Sequence, residues 1–353
     1  MIYKVLRKLL YTLEPEKAHY FVANLLNKTE KTPILNSFWR NYHKVSNKRL
    51  EQTIFGETFK NPVGLGAGFD KNGTMVREIF SLGFGFTEVG TITPKPQDGN
   101  PKPRMHRHVK EETLQNAMGF NNFGSEVILK NLQEVGNFPY PVGINIGKNK
   151  TTSEKDAMDD YTDLIAKFHN IGTYLVINIS SPNTPNLRDL QNKDFIKSLF
   201  YKGREITNKP ILLKIAPDMT PETAVMLSRF AVEAGAGGIV ATNTTINHSL
   251  VKSPATFGGG LSGKVLKDQS LKIFDAVSSE LFGETTLISV GGISSAEDAY
   301  QRIKLGASLT QVYSALVFQG SGLVKNINTG LLRLLEKDGF GTIAEAVGSD
   351  RVC

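Results

Sequence analysis

The sequence predicts a (β/α)8 barrel with a small N-terminal helical extension, on three observations. From about residue 60 the chain repeats one theme, a short β-rich run, a glycine or polar break, then a helical stretch. Eight runs occur: Asn61–Gly66, Gly85–Gly90, Pro141–Gly147, Thr173–Ser180, Pro210–Ala216, Gly237–Asn243, Thr286–Gly291 and Ser308–Tyr313. Most are nearly continuous in Val, Ile and Leu, as strands buried on both faces must be. The length of this part also suits a closed parallel barrel, which uses roughly 250 residues.

The intervening segments carry helix signals, as at Asp156–His169, Pro221–Ala234 and Ser295–Gly306. Ser295 suits an N-cap and Gly306 a helix end, while Thr220-Pro221 is an N-cap followed by proline. A doubly wound open sheet is the rival, and Gly258-x-Gly260-x-x-Gly263 has the spacing of a dinucleotide fingerprint. No strand precedes it, so it reads as a flexible glycine loop after strand six. The longest insertion runs from Ile92 to Tyr140, and Pro94, Pro96, Pro101 and Pro103 mark its first part as extended loop.

With 40% hydrophobic and 21% charged residues, the chain has an ordinary globular composition. No apolar run approaches the roughly 18 residues of a membrane span. Lys4, Arg7 and Lys8 interrupt the first apolar stretch, so Met1 to Leu13 do not read as a secretory signal. The single cysteine, Cys353, excludes internal disulfides and a cysteine metal cluster. Six histidines show no zinc spacing, so no metal is expected, and His106 and His108 read as surface residues of a loop.

The net charge of +7 resides entirely in residues 1–50, which hold ten Lys/Arg and three acids. A neutral body with a cationic head implies a local anionic partner or a solvated basic surface. Leu6, Leu9, Leu10 and Leu13 form an apolar stripe among Lys4, Arg7 and Lys8. Glu14-Pro15-Glu16 starts a second helix with Ala18, Phe21, Val22, Leu25 and Leu26 on one stripe. Such helices dock on the main domain or lie in a bilayer interface, and the localised charge favours lipid. Nucleic acid is disfavoured because aromatic residues do not alternate with the basic ones.

In a barrel, polar residues at strand C-termini face the site. Here the strands end in Ala67-Gly68-Phe69-Asp70-Lys71, Thr91, Asn145, Asn178 to Asn183, Thr242-Asn243-Thr244, Gly291-Gly292 and Tyr313-Ser314, and the fifth carries Lys214. A lysine inside an apolar strand needs a partner, either a structural ion pair or an anionic ligand. Gly291-Gly292 and Tyr313-Ser314 occupy the positions where barrels bind phosphate. Asn116, Asn145, Asn178, Asn183 and Asn243 suit a flat heterocycle with donors and acceptors on its edge.

These motifs together resemble the dihydroorotate dehydrogenases. The resemblance rests on Ala67–Lys71, Val89–Pro94, Asn116–Asn122, Ile144–Asn149, Asn178–Pro185, Lys214–Asp218, Thr242–Thr245, Gly259–Gly263, Val290–Ile293 and Tyr313–Leu316. It runs from the N-terminal helices to about residue 320, with one departure, Ala117 where the family usually has arginine. Soluble members of the family use a cysteine base and the quinone-linked class a serine; Ser181 stands at that position here, and residues 1–45 resemble that class's helical extension.

The resemblance implies oxidation of dihydroorotate to orotate through FMN, with electrons passed to a membrane quinone. Ser181 would be the catalytic base. Lys71, Asn116, Ala117, Met118, Gly119, Phe120, Asn178, Asn183, Asn243 and Thr244 would contact substrate. Ala67, Gly68, Phe69, Asp70, Lys71, Thr91, Asn145, Asn178, Lys214, Thr242, Gly263, Gly292, Tyr313 and Ser314 would hold FMN. His19, Arg107 and Tyr313 would line the quinone passage. It further implies a two-helix membrane and quinone-access segment at 1–45, a catalytic barrel at 46–353, and a peripheral place on the cytoplasmic side of the cell membrane. The alternatives are a soluble relative using fumarate or NAD, a flavin barrel acting on tRNA, and a ligand-sensing phosphate-binding barrel.

Overall fold

The computed structural model describes residues 2–351; the side chain of Lys4 and all of Cys353 lie outside the described set. Thirteen strands are formed: β1 (Gln52–Ile54), β2 (Glu57–Phe59), β3 (Val63–Asp70), β4 (Phe86–Ile92), β5 (Met105–His108), β6 (Thr113–Asn116), β7 (Val142–Ile146), β8 (Tyr174–Asn178), β9 (Ile211–Ile215), β10 (Gly238–Ala241), β11 (Gly260–Gly263), β12 (Thr286–Val290) and β13 (Leu309–Val312). Eight of them, β3, β4, β7, β8, β9, β10, β12 and β13, close in that order into a parallel barrel. These are the eight runs expected from the sequence.

Side chains alternate across a strand, so each barrel strand sends every second residue inward. The floor is packed by cross-strand pairs of a large residue and a glycine, Phe86 beside Gly64, Tyr174 beside Gly143 and Leu212 beside Gly238. A methyl group at Gly64 or Gly143 would lie within 2.5 Å of the neighbouring ring. The glycines therefore make room for the rings that seal this end, and the antiparallel hairpin β1–β2 precedes the first barrel strand.

The helices α1 (Ile2–Leu10), α2 (Pro15–Glu30) and α3 (Pro33–His43) precede the barrel. The Glu14 carboxylate accepts from the N–H groups of Glu16 and Lys17 at 3.0 Å each, which caps α2 as its sequence implied. The third helix corrects the two-helix expectation. Pro33 ends α2's pattern but also occupies the first turn of α3, where its missing N–H costs nothing.

Around the barrel run α4 (Val76–Ser81), α5 (Ser125–Val135), α6 (Ala157–Phe168), α7 (Lys193–Ile206), α8 (Pro221–Glu233), α9 (Lys267–Leu281), α10 (Ala296–Lys304), α11 (Ser314–Gln319), α12 (Leu323–Asp338) and α13 (Ile343–Ala346). Ser295 caps α10 by accepting from the Asp298 N–H at 3.1 Å.

Two further expectations are corrected. The glycine-rich Gly260–Gly263 is strand β11, which pairs antiparallel with β6, and β6 in turn pairs with β5. This three-stranded sheet ties the long insertion to the loop after β10. His108 is consequently buried, its ring facing the Gln115 amide oxygen at 3.1 Å, whereas His106, on the same face of β5 with its ring centroid 4.7 Å from that of His108, is exposed.

The N-terminal segment is anchored by a buried ion pair. Arg104 Nε and Nη2 donate to the two carboxylate oxygens of Glu16 at 3.1 and 2.7 Å, with both side chains at most 6% exposed. Removing one member of such a pair strands the other charge, at a cost of about 3–5 kcal/mol. Glu16→Ala is therefore expected to release the segment early. Emission from Trp39, the sole tryptophan and part of α3, should change at lower urea than the far-UV dichroism of the barrel; coincident, unshifted transitions would contradict this.

Candidate active site

The open end of the barrel holds a cavity with about 1290 Å³ of empty space, its mouth included. Ser181, Lys71, Lys214, Asn116, Asn178, Asn183 and Asn243 all line it, although they come from five different segments. So do Ala67, Gly68, Thr91, Met118, Gly119, Phe120, Thr242, Thr244, Gly263, Gly292, Tyr313 and Ser314.

Beneath the cavity lies a chain of hydrogen bonds across the barrel. Asn243 Nδ2 donates to Asn178 Oδ1 (3.2 Å), Asn178 Nδ2 to Thr91 Oγ1 (2.9 Å) and to Asn145 Oδ1 (3.2 Å), and Thr91 Oγ1 to Asn145 Oδ1 (2.6 Å). Asn145 Nδ2 then donates to Glu88 Oε2 at 3.2 Å, and Gln311 Nε2 donates to Glu88 Oε1. Glu88 is fully buried, and Lys214 Nζ lies 3.8 Å from its Oε2. The buried lysine thus has a structural partner below it while its ammonium also lines the cavity.

Glu88 and Gln311 were missed in the sequence. A charged residue inside the apolar run Phe86–Ile92 is the same signal that singled out Lys214, but Glu88 sits below the strand end, where site residues were sought. Asn145 is likewise fully buried and lies in this lower layer, off the cavity wall.

Other predicted residues have different surroundings. Asp70 is buried and off the wall, and its oxygens accept from the N–H groups of Asn72, Thr74 and Met75, so it shapes the turn that presents Lys71. Ala117 is buried off the wall, its N–H donated to the Arg104 carbonyl at 2.8 Å. Phe69 is also off the wall and links two rings, its centroid 4.8 Å from His19 and 5.9 Å from Tyr313. Neither His19 nor Arg107 lines the cavity. Arg107 lies over the Tyr11 ring and donates to the carbonyls of Tyr11 and Leu13, clamping the end of α1.

Burial lowers Lys71 to about 8, its Nζ donating to the Gly68 carbonyl at 2.8 Å. Burial also holds His19 down at about 4, leaving it neutral at pH 7, and pushes Tyr313 up to about 12. Ser181 is 5% exposed, and its Oγ accepts from the Asn183 N–H at 3.2 Å. Arg188, also unforeseen, bridges the Ser180 carbonyl (3.0 Å), the Thr244 carbonyl (3.0 Å) and Asp218 (2.9 Å), fixing the Ser181 loop against its neighbours.

Three buried polar atoms of wall residues have no partner among the described residues, namely Asn183 Oδ1, Thr244 Oγ1 and Gln311 Oε1. Unpaired buried groups are costly, so the cavity is built to receive a polar ligand. A closed parallel barrel with polar groups converging at its strand C-termini defines a (β/α)8-barrel protein with a ligand site in the usual place of barrel enzymes.

Residues 49–335 match the family model described as dihydroorotate dehydrogenase. The chain is 56% identical over 349 residues to the dihydroorotate dehydrogenase (quinone) of Sulfurimonas denitrificans, with 99% of each chain covered. It is 53% identical to the protein of the same name from Nitratiruptor, again with 99% of each covered. Among solved structures it resembles DHODH from Eimeria tenella in complex with ferulenol, with a TM-score of 0.86 and 34% identity, covering 98% of this chain and 99% of that one. The chain belongs to the dihydroorotate dehydrogenase family.

The Glu88–Lys214 pair yields a stability test. Lys214→Met leaves a buried carboxylate without its cation, and urea denaturation should show a loss of about 3–5 kcal/mol. Glu88→Gln with Lys214→Met should recover much of it, because neither charge is then stranded. Additive losses in the double variant would refute the coupling.

Proposed function

We infer that this chain oxidises dihydroorotate to orotate through FMN and passes the electrons to a quinone. The observation that carries the reading is one cavity gathering Ser181, Lys71, Lys214 and the asparagine network, on a chain matching quinone-dependent relatives along almost its full length. The polar lining of the cavity and its three orphaned polar atoms suit a flat polar cofactor beside a small acid. When bound, FMN supplies hydride acceptance and onward electron transfer.

The residues divide the remaining work. Lys71 offers a cation to the substrate carboxylate, while Asn116, Asn183, Asn243 and Thr244 present amides and a hydroxyl to the ring edges. Ser181 Oγ takes the C5 proton, and the Asn183 N–H that it already accepts supports the negative charge that develops on it. No histidine or carboxylate hydrogen-bonds Ser181 among the described residues. The proton therefore passes to water, and positioning supplies much of the rate. Lys214 sits where it can offset negative charge on a reduced flavin, and Ala67, Gly68, Thr91, Gly263, Gly292, Tyr313 and Ser314 would hold the rest of the cofactor.

The N-terminal segment supports a peripheral membrane site for the acceptor. Among the described residues, ten of the seventeen large exposed apolar side chains fall between Leu6 and Tyr42, among them Leu9 (67%), Ile34 (83%) and Phe38 (72%). Exposed apolar area of this kind marks an interaction surface, and the basic residues of the same segment suit anionic lipid. No helix among the described residues is long and apolar enough to cross a membrane. His19, Phe69 and Tyr313 form a ring-to-ring path from α2 to the cavity wall and so remain candidates for the quinone passage, with Arg107 bracing its entrance.

Dihydroorotate should bleach the flavin absorbance of the purified protein, and a ubiquinone or menaquinone analogue should restore it. Ser181→Ala should retain FMN while bleaching slows by roughly 10²–10⁴-fold; a variant that bleaches at the original rate would remove Ser181 from this role. Lys71 gives a pH dependence. It is cationic below about 8 and neutral above, so the Kd of orotate should be flat at lower pH and rise as pH passes that value, by about tenfold per unit. Fluorescence titration should show this rise, and Lys71→Met should flatten it.

A further inference from the structure

A buried cation lies behind the glycine turn that closes the cavity on the side of β12 and β13. Arg302, on α10, is 1% exposed and is among the largest fully buried side chains. Its Nη2 donates to the Lys267 carbonyl (2.9 Å), Ser270 Oγ (2.9 Å) and the Gly291 carbonyl (3.2 Å), and Nη1 reaches Ser289 Oγ at 3.4 Å. None of these acceptors is charged. Asp298, the acid on the same helix, instead pairs with Lys267 and accepts from Ser294. Burial lowers Arg302 only to about 10, so it remains cationic at neutral pH.

A buried charge that no carboxylate touches is expensive; Asp298 and Asp268 favour its charged form from a distance, and the geometry around Arg302 suggests what else balances it. In a trans peptide the C=O and N–H point in opposite directions. With the Gly291 carbonyl turned towards Arg302, the Gly292 N–H is turned away from it, on the side of the cavity that Gly292 lines. That N–H has no acceptor among the described residues. The turn is also pressed on the start of α9, where a methyl group at Gly292 would meet the Lys267 backbone at 2.4 Å and one at Gly291 would meet the Ser270 side chain at 2.6 Å. Arg302 threads this seam and holds both sides of it.

We propose that Arg302 is a positioning residue for a phosphate monoester held at Gly291–Gly292, fixing the turn so that the Gly292 N–H faces the phosphate and supplying the buried counter-charge. It rests on the flavin reading, in which the phosphate is that of FMN. A strut that only braces α10 against α9 would serve any flavin alike, whereas a phosphate-positioning cation serves only the phosphorylated one.

The test compares FMN with riboflavin, which lacks the phosphate. The protein is purified with its flavin, the flavin is exchanged, and Kd is read by fluorescence quenching for the parent, Arg302→Met and Arg302→Lys. Arg302→Met is expected to weaken FMN at least tenfold while riboflavin changes less than twofold, with Arg302→Lys between the parent and Arg302→Met. Equal losses for both flavins, or none for FMN, would overturn the proposal and leave the flavin reading intact. A parent protein that binds neither flavin would overturn both. Should Arg302→Met fail to fold, Arg302→Lys carries the same comparison, and a selective loss of FMN supports the proposal while an equal loss overturns it.

Discussion

The site depends on one buried ion pair on the barrel axis. Glu88 has no exposure, and three neighbours on three different strands reach it, Asn145, Gln311 and Lys214. A carboxylate in that position is tolerable only if all of them are present. Asn145 must turn its NH2 towards Glu88, which leaves its oxygen to accept from Thr91 and Asn178, and Asn178 in turn sets Asn243. The amide orientations at the cavity wall are thus dictated from below, by a group that never meets the ligand.

The barrel was legible because its strands are buried on both faces and read as short apolar runs whatever surrounds them. The cavity residues were legible because strand C-termini converge in this fold, so Lys71, Ser181, Lys214 and the wall asparagines follow from position. Non-local facts were not legible. Gly260–Gly263 becomes a strand only because Thr113–Asn116 lies beside it, a partner nearly 150 residues away in the chain. His108 is buried by the same sheet. Arg302 sits on a short, highly polar helix and resembles any solvated charge; it is buried where α12 packs on α10 and where it reaches Lys267 and Ser270 at the start of α9.

The extension and the barrel meet through specific chemistry as well as apolar contact. Glu16 and Arg104 join α2 to the insertion after β4, and Arg104 also donates to the carbonyls of Asp98 and Asn100. Asn100 Nδ2 in turn donates to the Asn183 carbonyl at 3.2 Å. A continuous set of hydrogen bonds therefore runs from the N-terminal segment to the loop that carries Ser181, giving that loop its position from outside the barrel as well as from Arg188 within it.

The glycine-seated rings of the floor make the barrel a cup rather than a tube. Phe86, Tyr174 and Leu212 leave water no route to Glu88 and Lys214 from underneath, so solvent reaches them only through the mouth. Any flat molecule lying across that mouth closes a dry compartment around the two charges. Whatever lies across that mouth must therefore enter and leave by the same opening, so the site loads and empties from one side alone.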